Sequence, residues 1–304
     1  MTRPLRLGTR GSRLALWQAE WVRDTLARSG TQVEIVIIKT QGDAEVDRPL
    51  HQLEGTGFFT KAIEDALLAE TVDIAVHSLK DLPTQFPAGL MLGAVPARYS
   101  PAEALVARDP SVDSLDALPS GAIVGTSSLR RQSQLRYRRP DVQVVSLRGN
   151  VPTRVDKVTA GADGVVAALL ACAGLERLGL QAHITVRLDP LDVMPAPGQG
   201  ALGIEIRTGD SRAAAALRPL DDAAARMSVA AERGLLAALG GGCQAPVGAW
   251  VDVTGSRLYG RVTATDGAVQ LTASAALDPA QPLAAAEAVA HLLEGQGASK
   301  LLAR

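Results

Sequence analysis

The sequence predicts an α/β protein with two strand–helix lobes around a cleft and a smaller α/β domain at the C-terminal end. Three observations carry this. Short β-branched runs alternate with helix-patterned segments from residue 5 to about residue 82, the pattern of a largely parallel sheet. The alternation restarts after Pro119. A strand-like "ALGIEIR", from Ala201, is placed to return to the first sheet, so that two crossovers join the lobes; this last step is fold analogy.

Each element has its own signal. "LRLGTR" reads as a short strand, and "SRLALWQAEWVRDTLARSG" as a helix. Leu14, Trp17, Trp21 and Leu26 keep helical spacing, Ser12 is placed to cap the start, and Gly30 ends it. "VEIVIIKT" predicts a buried strand, "TKAIEDALLAET" a helix, and "VDIAVHSLKDLP" a second buried strand running into a loop. In the second lobe, "GAIVGTSSLRRQSQLRYRRPD" and "VQVVSLRGNVPTRVDKVTAG" are each strand, turn and helix, and "DGVVAALLACAGLERLG" is a third strand with its helix. "DDAAARMSVAAERGLLAAL" is a clear helix. The tail reads as hairpin-like strands followed by the helix "PLAAAEAVAHLLEGQG", and no internal repeat is evident.

Composition narrows the function classes. Hydrophobic residues make up 47% and charged residues 21%, which suits a soluble globular chain. Aromatics are 3%, so the core is mostly aliphatic. No apolar run reaches the roughly 18 residues of a membrane span, and the N-terminal stretch lacks a secretory pattern. The expectation is a cytoplasmic protein with two reduced thiols, Cys172 and Cys243. The four histidines are scattered and there is no C-x-x-C, so no metal site is expected. A net charge of −1 argues against bulk nucleic-acid binding. Between Pro119 and Thr159, however, seven Arg and one Lys stand against two Asp. An anion, or a neighbouring acidic surface, balances that charge.

In open α/β sheets, ligands bind beyond the carboxyl ends of strands. Four polar groups fall there: Thr9 to Ser12, His77 to Asp81, Thr126 to Arg131, and Arg148 to Asn150. Three of them open helices, whose N-termini favour anions, and arginine adds bidentate geometry for carboxylates. Arg130, Arg131 and Arg148 are therefore anion-binding candidates, whereas the later "RYRR" reads as a solvated helix end. Asp81 is either half of a surface ion pair with Lys80 or a carboxylate that stabilises a developing cation. Cys172, in an apolar run, reads as a small buried hydrophobe. Cys243 follows three glycines and precedes a Gln-Ala-Pro turn, which marks a loop. Catalytic thiol, metal ligand and covalent attachment point all remain open for it.

The stretches "GTRGSRLALWQA", "DIAVHSLKDLPT", "IVGTSSLRRQSQL", "SLRGNVPTR", "CAGLERLGL", "PAPGQGALGIE" and "GGCQAPVGA" together resemble the porphobilinogen deaminase (hydroxymethylbilane synthase) family, in the family order and over nearly the whole chain. The resemblance implies a dipyrromethane cofactor attached to Cys243 through a thioether. It implies stepwise head-to-tail condensation of four porphobilinogen molecules, with loss of ammonia and hydrolytic release of hydroxymethylbilane, in tetrapyrrole biosynthesis. It also implies roles for individual residues. Asp81 is the catalytic carboxylate, and Lys80, Asp81, Thr126, Ser128, Arg130 and Arg131 hold the cofactor. Arg10, Ser12, Arg148, Arg154, Arg177 and Gln199 serve substrate and growing chain. The implied fold has two lobes like those of periplasmic binding proteins, residues 1–95 with 195–215 and residues 96–194, plus a third domain over 216–304 that carries the cysteine loop. The partners implied are porphobilinogen and its oligopyrrole intermediates, with a monomeric chain, no nucleic acid and no membrane. One departure is Thr56 in "LEGTGFFTKAI", where the family often has lysine; Lys61 follows downstream. The resemblance therefore does not carry an anion-contacting lid over to this loop.

Two other classes compete. A two-lobed small-anion-binding protein without catalysis needs no glycine-presented thiol in a third domain. A thiol amidohydrolase needs a base beside Cys243 and an alkylatable sulfur.

Overall fold

The structure, a computed structural model, describes residues 3–40, 60–242 and 245–303. Thr56, Cys243 and their immediate neighbours lie outside the described residues. The chain starts with β1 (Leu5–Thr9), α1 (Arg13–Arg28), β2 (Val33–Ile37), α2 (Lys61–Leu68), β3 (Ile74–Ser78) and β4 (Leu90–Ala94). It continues with β5 (Glu103–Ala107), β6 (Ile123–Gly125), α3 (Leu129–Arg138), β7 (Gln143–Val145), α4 (Val151–Ala160), β8 (Val165–Ala171), α5 (Cys172–Arg177) and β9 (Val186–Arg187). Then follow β10 (Leu202–Arg207), α6 (Ser211–Leu217), α7 (Ala223–Ala238), the strands β11 (Val247–Asp252), β12 (Arg257–Thr263) and β13 (Gln270–Ala276), and the helices α8 (Pro282–Gly295) and α9 (Ala298–Leu302).

Two compact units result: Met1–Tyr99 with Ala201–Arg226, and Ser100–Gly200 with Met227–Arg304. The first holds a sheet of order β2-β1-β3-β10-β4, in which β1 is parallel to β2 and β3. As expected, "ALGIEIR" returns to this sheet, as β10 between β3 and β4, and it runs antiparallel to both. The second unit holds β7-β6-β8-β5-β9, where β6 is parallel to β7 and β8, and β5 is antiparallel to β8 and β9. The sheets are thus mixed rather than largely parallel. In each, the strand that follows a crossover enters against the parallel trio, and an antiparallel neighbour needs no further helix to reverse the chain. The two sheets also share one topology, a duplication that the sequence does not display.

Helix α1 forms where expected, with Ser12 as N-cap accepting a hydrogen bond from the Ala15 amide. Its buried stripe is Gln18, Ala19, Val22 and Leu26. Trp17 and Trp21 flank this stripe half-buried, and Trp17 meets Tyr99 edge-on at 6.0 Å between ring centroids. Leu7, Ile74, Val76, Ile204 and Ile206 supply the sheet side of that core. Each such side chain contributes about 1.5–3 kcal/mol when buried. Strand β2 corrects one expectation: it is the sheet's edge, and Ile37 is 59% exposed, because a β-branched run does not distinguish an edge strand from a central one.

In the second unit, Val124, Leu135 and Leu169 are buried in one core cluster, and Leu147, Val155, Val158 and Leu170 in another. The antiparallel meander β11-β12-β13 covers α8 through Leu258, Val262, Val289 and Leu293. Gly260 permits this closeness, since a Cβ there would meet Leu235 Cδ2 at 2.5 Å. Cys172 is fully buried, and burial pushes its thiol up to about 11, so it is an inert core residue as expected.

Asp73, just before β3, anchors the start of the first sheet. Burial opposes its ionisation, but hydrogen bonds from Arg6 and Arg3 hold its carboxyl well below the usual carboxylate range. A carboxyl whose pKa is depressed in the folded state stabilises the fold above its unfolded value of about 3.9 and loses that contribution as pH falls through the folded value. We expect Asp73→Ala to cost about 2–4 kcal/mol in denaturant unfolding at neutral pH and to flatten the acid limb of stability against pH. Wild-type stability in this variant would contradict the anchor.

Candidate active site

In the first unit, polar residues gather where the parallel strands β1 and β3 end. Arg10 follows β1, and Ser12 opens α1. The turn Leu79–Asp81 follows β3 directly and carries Lys80 and Asp81. Arg10, Ser12, Gln18, Thr60, His77, Ser78 and Asp81 line one cavity. Gln18 donates from Nε2 to Ser78 Oγ at 2.8 Å, which fixes α1 against the end of β3. Asp81 itself is exposed, so its carboxylate faces solvent rather than a buried partner.

The corresponding strand ends of the second unit carry the other candidates. Thr126 is buried, and its Oγ1 accepts a hydrogen bond from the Ser128 amide at 3.4 Å. Ser128 is the N-cap of α3 but makes no side-chain bond to the first turn, which leaves that helix end free of a side-chain cap. Ser127 Oγ donates to the Leu147 carbonyl at 2.8 Å and joins this turn to the next. There, Gly149 at φ +116° permits the sharp entry into α4, since a Cβ would meet Thr153 Cγ2 at 2.8 Å. Asn150 caps α4, and Arg154 Nε donates to the Gly149 carbonyl at 2.7 Å. Arg148 and Arg154 are both half-buried at this helix start.

Arg130 and Arg131 are more deeply placed than their position at a helix start suggests, at 4% and 5% exposed. Glu103, fully buried at the start of β5, takes one arginine on each oxygen, Oε1 from Arg130 Nη2 at 2.6 Å and Oε2 from Arg131 Nε at 2.9 Å. Burial pushes the Arg130 guanidinium pKa down, and the Glu103 charge opposes that. Arg130 Nη1 also donates to the Met194 carbonyl, and Arg131 Nη1 to the Leu169 carbonyl. Glu103 escaped the sequence reading; its signal was a carboxylate opening the apolar run "EALVA". Gln199 is fully buried, accepts from Arg131 Nη2 at 3.4 Å, and donates to the Pro101 carbonyl. Arg177 is buried and donates to the Gly200 carbonyl at 2.7 Å. Glu232 holds the same loop by accepting from the Gly198 amide.

Two further arginines of the basic stretch are balanced locally. Arg138 pairs with Asp116 and Arg139 with Asp141, whose carboxyl Arg139 holds at about 2. Helix α3 also ties the meander into this unit, because Arg261 on β12 donates to Gln134 Oε1 at 3.0 Å. Gln134 in turn brackets both backbone groups of Met194.

The loop before Cys243 has a mixed purpose. Gly240, at φ +64°, and Gly241 terminate α7, their amides bonding to the Ala237 and Leu236 carbonyls. Two of the three glycines therefore stop a helix; Gly240 and Gly242 have open space around their Cβ positions, and a Cβ at Gly241 would meet Leu236 Cδ1 at 2.7 Å. Cys243 lies outside the described residues.

A family model described as "Porphobilinogen deaminase, dipyromethane cofactor binding domain" matches residues 5–215, and one described as "Porphobilinogen deaminase, C-terminal domain" matches residues 227–294. The chain belongs to the porphobilinogen deaminase family. A porphobilinogen deaminase from Syntrophobacter fumaroxidans is 45% identical over 304 residues, covering 99% of this chain and 97% of that one. One from Burkholderia thailandensis is 48% identical over 305 residues, covering 98% and 92%. Among solved structures, a periplasmic substrate-binding protein of an ABC transporter from Coxiella burnetii has 14% identity and a TM-score of 0.42, covering 71% of this chain and 91% of that one. Within the porphobilinogen deaminase family, the candidates of this chain fall into two sets of strand-end groups, one in each unit. Among the described residues, no group of His, Cys, Asp and Glu could hold a metal ion.

Proposed function

We propose that this chain catalyses the porphobilinogen deaminase reaction, joining four porphobilinogen molecules head to tail and releasing hydroxymethylbilane by hydrolysis. The observation that carries this is the family match over both parts of the chain. The site agrees with it. In each condensation, the C–N bond to the leaving ammonia breaks, a C–C bond forms to a free pyrrole α-carbon, and that carbon's proton is lost. Positive charge develops on the substrate as ammonia leaves, and the Asp81 carboxylate at the cavity wall stabilises it. Arg10 at the same wall takes a substrate carboxylate.

The residues present fit a dipyrromethane. Each pyrrole carries two carboxylates, and the chain offers the uncapped start of α3 together with Lys80, Arg148 and Arg154 at strand ends. Cys243 would hold the group through a thioether; Lys80, Asp81, Thr126 and Ser128 would hold its ring nitrogens and carboxylates. When bound, it supplies the free α-carbon that accepts the first substrate unit. Arg130 and Arg131, already engaged by Glu103, add positive potential behind α3 and fix its first turn. Arg177 and Gln199 act by shaping the Gly198–Gly200 loop. The reading keeps three domains, 1–95 with 195–215, 96–194, and 216–304, in a monomeric cytoplasmic chain. No helix among the described residues is long and apolar enough to cross a membrane.

Incubation with porphobilinogen tests this. The expected result is ammonia release with a linear tetrapyrrole in solution, one tetrapyrrole for every four ammonia. No consumption of porphobilinogen by protein already carrying dipyrromethane would overturn it.

A further inference from the structure

Behind the cavity wall lies a group of ionisable side chains to which the reading above gives no role. His77 on β3 is 6% exposed, Glu205 on β10 fully buried, and Glu64 on α2 6% exposed. His77 Nε2 and Glu205 Oε2 are 3.1 Å apart but lack the alignment of a hydrogen bond. Among the described residues, neither Glu205 oxygen, nor Glu64 Oε1, has a hydrogen-bond partner. Two carboxylates so buried and so poorly satisfied do not both ionise readily. The sequence signal was a lone Glu within the apolar strand "LGIEIR".

The cluster borders the candidate site. His77 and Thr60 line the cavity together with Arg10 and Asp81, and Thr60 is the N-cap of α2, one turn before Glu64. Among the described residues, the charges around Glu64 are few. Helix α2 contacts β1, β3, β10 and β4. From β3 and β10 come His77 and Glu205. Arg6 of β1 is held by Asp73, and Arg207 of β10 by Asp210. Strand β4 has no charged residue. On α2 itself, Lys61 and Asp65 pair with each other at the surface. Burial raises the Glu64 pKa, and the Glu205 charge raises it further, while Thr60 and His77 act the other way.

We infer that Glu64, His77 and Glu205 form a proton-holding cluster that sets the charge behind the substrate cavity, with Glu64 as its titrating member and as a positioning residue for anionic pyrroles. While Glu64 is protonated, the cluster carries one negative charge fewer than when Glu64 is ionised. Once Glu64 loses its proton, the cluster gains one negative charge beside Arg10 and Asp81. A pyrrole bearing acetate and propionate is then repelled. Because Glu64 touches no reacting atom, the effect falls on KM rather than on kcat. This inference rests on the proposed substrate for the KM readout, but not for the titration.

Two measurements test it. In holoenzyme with carbon-13-labelled glutamate, the Glu64 carboxyl carbon, assigned through the backbone, titrates with a midpoint above the ordinary value of about 4.3, and the midpoint falls in Glu205→Gln. A wild-type midpoint at or below the ordinary value would overturn the cluster. In the same holoenzyme, KM for porphobilinogen rises about three- to tenfold as pH passes through the Glu64 midpoint, the scale of one added charge near the ligand in partly screened surroundings. In Glu64→Gln, KM stays at its low-pH value. A KM profile identical in wild type and Glu64→Gln would overturn the positioning role. If Glu64→Gln does not fold, the wild-type titration and Glu205→Gln still decide the matter. Wild-type protein that turns over no porphobilinogen would fail the proposed reaction instead, and the titration would still decide the cluster.

Discussion

Cys243→Ala is expected to yield a folded chain that carries no dipyrromethane and turns over no porphobilinogen. Cys172 offers no substitute, because it is fully buried and its thiol pKa is pushed up to about 11. The substitution should leave stability nearly unchanged, since Gly240 and Gly241 terminate α7 without the cysteine. The expected loss is therefore of cofactor and activity together, with unfolding midpoints close to wild type. Denatured mass, turnover and a denaturant unfolding curve read the three quantities separately. Full turnover by Cys243→Ala would remove the attachment role from this residue.

Asp81→Ala separates attachment from catalysis. Asp81 is exposed at the wall of the first-unit cavity, in a three-residue turn just after β3, so its loss leaves no buried partner unpaired. The variant should fold, keep its cofactor, and lose about a hundredfold or more in kcat, the scale of removing one preorganised electrostatic group from a developing charge. Single-turnover rates of ammonia release read this directly. Normal rates would show that another group stabilises the cation; loss of cofactor would show that Asp81 serves attachment first.

How much was legible in the sequence follows from which signals are local. The strand ends and helix starts were readable, because capping and anion binding use residues next to one another, as with Ser12 and α1 or Asn150 and α4. The return of β10 was readable only by analogy, because pairing between residues such as Leu202 and Ser78 leaves no local trace. The edge position of β2 and the shared topology of the two sheets were hidden for the same reason. Arg130 and Arg131 were read as anion binders, and the structure adds the carboxylate that engages both. Glu103 lies 27 residues from Arg130 and 28 from Arg131, beyond what spacing reveals. The glycines before Cys243 read as marking a loop that presents the thiol, whereas two of them end a helix. Glu205 stands inside an apolar strand, but its nearness to His77 of another strand leaves no local trace in the sequence.

The measurement that tests the central claim most directly is the denatured intact mass of the purified chain, followed by peptide mapping across residues 239–250. The account predicts a mass excess of one dipyrromethane, located on the peptide that contains Cys243. A mass that stays unmodified, even after incubation with porphobilinogen, would contradict it.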